Sequence, residues 1–81
     1  MGKFTNILEG AVIVDIEIDN GGFDYFGYIR KGGDYIIVKT TTSTSASTRY
    51  ALGTGKAGDL YTTAWSARTT KKYTLPIIRG N

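Results

Sequence analysis

The chain contains neither cysteine nor histidine among its 81 residues. Without cysteine there is no disulfide framework and no thiolate metal ligand. Without histidine the chain lacks the one side chain whose unperturbed pKa lies near neutrality, the commonest metal ligand and the usual partner of a serine nucleophile. These absences set aside most familiar enzyme classes, so the chain is read as non-enzymatic, with no catalytic residue, cofactor or metal assigned. Long hydrophobic runs are missing as well. The start, Met1 to Asn6, lacks the apolar stretch of a signal peptide, and the first apolar segment is interrupted by Asp15, Glu17 and Asp19. No membrane span is expected, and a soluble chain is. Gly2 does not make a myristoylation signal, because that pattern wants Ser or Thr where Asn6 stands.

What is present fits one small domain over residues 1–81. A chain of this length buries only roughly 60–65% of the surface that its unfolded form exposes. A neighbouring subunit that covered more would add stability, which makes self-association an expected property. The net charge of +3 conceals a division. Residues 1–34 hold Lys3, Arg30 and Lys31 against six carboxylates, a balance of −3, whereas residues 35–81 hold seven cations against Asp59 alone, a balance of +6. Opposed halves of this kind suit pairing inside the fold, ordered contact between subunits, or a polyanion on the basic half.

The pattern along the chain is that of short strands. Over residues 11–19, Val12, Val14, Ile16 and Ile18 alternate with Asp15, Glu17 and Asp19, which predicts a half-buried strand with a dry apolar side and a wet acidic side. Asn20-Gly21-Gly22 is a hairpin turn, followed by a strand over about 23–30 in which Gly27 marks a bulge or a close backbone approach. A second turn, Lys31 to Asp34, leads to a β-branched strand over 35–40. The Ser/Thr run from Thr40 to Thr48 is read as strand to about Thr42 and loop beyond, and Thr48 to Leu52 as a short fourth strand. Asp59 is placed as the cap of a short helix over about 60–68, although Tyr61-Thr62-Thr63 would equally suit a strand. Lys72 to Arg79 reads as a last strand, with Pro76 confining it to an edge or an end. The fold class is therefore all-β, a small antiparallel barrel or sandwich with one short helix.

Three constellations could carry chemistry. Gly53-x-Gly55-x-x-Gly58 matches a dinucleotide fingerprint, but no carboxylate follows Asp59 to hold a ribose and the chain is too short for the doubly wound sheet, so a plain glycine loop is the better reading. Asp15, Glu17 and Asp19 recur at strand spacing on one side, which is a solvated strand face that discourages edge pairing more readily than a catalytic pair. Six tyrosines, three phenylalanines and a tryptophan accompany the basic half. Rings could stack on bases while Arg49, Lys56, Arg68, Lys71 and Lys72 meet phosphates, which gives the alternative of a small basic barrel binding single-stranded nucleic acid. No RNP-like motif supports it, and the competing reading makes the rings core and the cations ordinary surface charge.

One set of residues has a more definite likeness. Tyr25-Phe26-Gly27-Tyr28, the apolar strand Ile36-Ile37-Val38 ending in Lys39, Thr48 to Gly53, Trp65-Ser66-Ala67-Arg68 and Tyr73 together resemble small virion-associated proteins encoded by tailed bacteriophages. The likeness covers about Tyr25 to Tyr73 and leaves the acidic first strand outside. It departs from that group where Ile36 or Ile37 stands in place of a tryptophan. The resemblance implies a structural protein of a virion, a homo-oligomer or one that contacts other virion proteins, without distinguishing capsid, neck or tail. Within the matched set, Tyr25, Tyr28, Trp65 and Tyr73 are expected as core anchors, and Arg68 as a partner for a carboxylate of the first strand. Asp15, Glu17, Asp19, Arg49, Lys56, Arg68, Lys71 and Lys72 are the candidate interface or binding residues.

Overall fold

The computed structural model describes residues 10–41 and 44–74, with the side chains of 44–47 left aside. Four strands form an antiparallel meander, β1 (Ala11–Asn20), β2 (Phe23–Arg30), β3 (Tyr35–Thr41) and β4 (Thr44–Gly53), paired in the order β1-β2-β3-β4. One short helix, α1 (Tyr61–Ser66), follows. The class is mainly β, and among the described residues the sheet is open, with β1 and β4 at its two ends.

The first hairpin closes through Gly21 and Gly22, whose φ values of 65° and 90° supply the two left-handed residues of a type I′ turn between paired Asn20 and Phe23. The second closes by main-chain hydrogen bonds from the Arg30 N–H to the Asp34 carbonyl (2.8 Å) and from the Gly33 N–H to the Arg30 carbonyl (2.9 Å), with Arg30 and Asp34 also ion-paired at 2.9 Å. β4 is longer than expected. It begins at Thr44, so the Ser/Thr run that reads as loop beyond Thr42 pairs instead with β3, and the Thr40 and Thr48 hydroxyls meet at 3.0 Å. β-branched threonine satisfies a strand as well as a loop, and polarity alone does not separate them.

The helix is shorter than the expected 60–68, and its N-cap is Leu60 with no side-chain cap. Asp59 has other partners. Its carboxylate accepts the Tyr35 hydroxyl at 2.5 Å, the Thr54 N–H at 2.7 Å and the Thr54 hydroxyl at 3.2 Å, which ties the loop to β3 instead of capping the helix. The last expected strand appears as a single antiparallel bridge between Thr74 and Tyr50, with bonds of 2.7 and 2.9 Å, and residues 75–79 lie outside the described part.

One part of the core lies between the sheet and α1, and on the other face Ile36 and Val38, paired with Tyr28 and Phe26, are buried as well. Tyr35, Ile37, Ala51 and Ala64 form the buried centre of the part under α1, with Ile29, Tyr61, Trp65 and Tyr73 packed around them. Tyr61 meets Tyr35 edge-on at 5.8 Å and stacks on Trp65 at 6.1 Å. Gly27 lies directly beneath the Tyr61 hydroxyl and Gly53 beneath the Tyr35 ring, positions where a Cβ would collide with those rings. This is the close approach expected of Gly27, and it explains why a strand interior tolerates glycine here.

Candidate interface on the first strand

The register shows which way β1 faces. Asp15 pairs with Gly27 and Glu17 with Tyr25, both on the side covered by α1, while Ile13 pairs with Tyr28 and Ile16 with Phe26 on the opposite side. Two irregularities, between Ile13 and Asp15 and between Glu17 and Asn20, break the simple alternation. Asp19 lies in the second with a φ of 59°, and its N–H donates to the Asp24 carboxylate at 2.8 Å.

The expected polarity of the strand is therefore reversed. Val12 is 65% exposed, Ile16 61% and Ile18 58%, whereas Asp15 and Glu17 are half-buried. Of the three acids read as a solvated face, only Asp19 is exposed. The reversal has a definite cause. Tyr61 donates its hydroxyl to Asp15 at 2.6 Å, and Arg68 binds Glu17 with two parallel bonds of 2.7 and 3.0 Å. A two-bond guanidinium–carboxylate pair fixes orientation as well as charge. Asn20 adds a third bond to Glu17 at 3.0 Å.

The electrostatics follow these contacts. The hydrogen bonds from Arg68, then Asn20, hold the Glu17 carboxyl down at about 2, and the same pair raises Arg68. Burial, and then the bond to Asp15, pushes the Tyr61 hydroxyl well above the ordinary tyrosine range. Burial and the bond to Asp59 push Tyr35 up to about 12, and Asp59 is lowered by the bonds from Tyr35 and Thr54. Every one of these groups is matched to a protein partner.

The remaining candidates separate by location. Arg68 is the expected partner of a first-strand carboxylate, and its guanidinium also lies 4.7 Å from the Trp65 ring and donates to the Trp65 carbonyl at 2.7 Å. Lys56 and Lys72 are exposed, on the glycine loop and on the turn after α1. Arg49 and Lys71 come together at a hollow described below. Among the expected core anchors, Tyr25 is buried, while Trp65 and Tyr73 are half-buried against the core. Tyr28 is half-buried on the face away from α1. The glycine fingerprint is occupied by its own loop. Gly55 presses on the Gly33 carbonyl, and the Thr54 and Gly55 N–H groups both turn to Asp59, so they form no open cradle for a pyrophosphate.

Among the described residues no helix is long and apolar enough to cross a membrane, and no group of three or more acidic side chains is placed to hold a metal ion. Comparison with protein-family models, with curated proteins and with solved structures finds no match. What the residues offer together, among the described residues, is an end strand on which Val12, Ile13, Val14, Ile16 and Ile18 are exposed while Asp15 and Glu17 are engaged inward and Asp19 stays exposed.

Proposed function

We propose that this protein is a non-enzymatic assembly module that associates with a second copy of itself through β1. The observation that carries this reading is the exposed β-branched side chains of Ile13, Ile16 and Ile18 on a strand that ends the sheet among the described residues. An end strand presents unpaired main-chain donors and acceptors, and proteins that remain monomeric usually protect such strands with outward charge. Here Asp15 and Glu17 are held inside by Tyr61 and Arg68, so that protection is withdrawn from the middle of the strand.

A second copy suits the surface better than an unrelated partner. Antiparallel pairing of two β1 strands about a two-fold axis would lay identical apolar rows side by side and extend one sheet into the next. It would also set Asp19 of one copy near the opposite end of the other strand, away from its twin. The phage-like pattern from Tyr25 to Tyr73 supports taking such an assembly as part of a virion.

Sedimentation over a concentration series tests this directly. The unmodified chain is expected to form a discrete oligomer, and Ile16→Lys/Ile18→Lys to sediment as a monomer with an unchanged circular dichroism spectrum, since both side chains are exposed. A wild-type chain that stays monomeric at the highest concentration contradicts the proposal.

A further inference from the structure

At the end of the sheet that binds Glu17, a hollow of about 260 Å³ is lined by Phe23, Lys39, Arg49, Lys71 and Tyr73. Three of its five lining residues are cations. Lys39 pairs with Tyr25 on one side and Arg49 on the other, so all three side chains rise from one row on the face that carries α1. The Lys39 ammonium is held among rings, 4.3 Å from the centre of Phe23, 5.5 Å from Tyr73 and 5.9 Å from Tyr25. Rings hold a cation in place without neutralising it.

The ion pairs among the described residues are Arg30 with Asp34 and Arg68 with Glu17, and neither takes a cation of the hollow. The nearby carboxylates are already engaged. Glu17 lies in the same cross-strand row but is bound by Arg68, and Asp59, which feels the charge of Lys71, accepts from Tyr35 and Thr54. Among the described residues Arg49 donates one bond, to its neighbouring Thr48 carbonyl at 3.2 Å, which takes one of the five donors of its planar group. The hollow is therefore a place where positive charge converges beside aromatic surface, with Phe23 still 36% exposed.

We propose that this hollow binds single-stranded nucleic acid, with Lys39, Arg49 and Lys71 on the phosphodiester backbone and a base on the open part of the Phe23 ring. The volume is below the roughly 300–1,000 Å³ of pockets that enclose a whole small molecule. It suits one nucleotide of a strand that passes across the surface. Phosphate contacts supply affinity, and a stacked base distinguishes nucleic acid from a plain polyanion. The site is separate from the exposed row of β1 and does not depend on association between copies.

Fluorescence anisotropy of a labelled oligothymidylate tests the proposal across a salt series. Three phosphate contacts on a single strand predict a slope of log affinity against log salt of about −2, and Lys71→Gln is expected to reduce its size by about 0.7. Phe23→Ala is expected to weaken binding by about tenfold. Lys31→Gln/Lys56→Gln removes as much charge as Lys39→Gln/Lys71→Gln from elsewhere on the surface, and only the latter pair should abolish binding. Lys71 is outside the buried core cluster, so its substitution reads the site even if Lys39 variants lose stability. Absence of binding in dilute salt overturns the proposal. So does an equal loss in both double variants, or inorganic polyphosphate competing as well as the oligonucleotide with no effect of Phe23→Ala.

Discussion

Gly27 shows how one residue can hold two layers together. It has no side chain, and the Tyr61 ring fills the space that a Cβ would need before its hydroxyl reaches Asp15. Gly27→Ala should therefore displace Tyr61 and cost about 1–3 kcal/mol, measured by urea unfolding. In a chain that already carries Tyr61→Ala, the same change should cost close to nothing. Equal costs in both backgrounds would show that the glycine is needed for its backbone and not for the ring above it. The sequence signals this position, because glycine inside an apolar strand demands a reason. It does not signal the occupant, which comes from 34 positions further along the chain and is brought there only by the complete fold. Lys39 and Phe23 were missed for a similar reason. Each looks ordinary in its own strand, and only pairing of β2 with β3 places the ammonium against the ring.

Among the elements, the strands and turns were legible because alternation, glycine pairs and β-branched runs act locally. β2 has the expected limits, and β1 and β3 each differ from expectation by one residue. What alternation leaves open is which side faces inward. On β1 the usual preference for apolar burial loses to two specific contacts, Asp15 with Tyr61 and Glu17 with Arg68, separated by 46 and 51 residues. Arg68 was legible as the partner of a first-strand acid, yet the consequence for the strand's orientation was not. The contact makes a pH prediction. The folded protein holds Glu17 at about 2 against an ordinary 4.5, so it resists protonation more than the unfolded chain does. Its contribution is complete above pH 4.5 and is lost as the pH falls toward about 2. The thermal midpoint should fall through that range in the unmodified protein and fall less steeply in Glu17→Gln. An identical acid slope in both would remove Glu17 from the account.

For the whole molecule, one ion pair among the described residues joins the two oppositely charged halves. The acidic first strand meets the basic end of the chain through Glu17 and Arg68, and Asp59 of the second half ties back to β3 through Tyr35. The surplus cations collect beside Phe23 and Tyr73, and the surplus apolar surface collects on β1. A chain with one small core thus offers two surfaces of different chemistry. The absence of native cysteine allows a direct test of the first, since Ile16→Cys introduces a single thiol. Its labelling rate with a water-soluble maleimide should be fast in dilute solution and should slow as the protein is concentrated. Slow labelling at every dilution would mean that Ile16 is buried within one chain, and fast labelling at every concentration would mean that no second copy covers it.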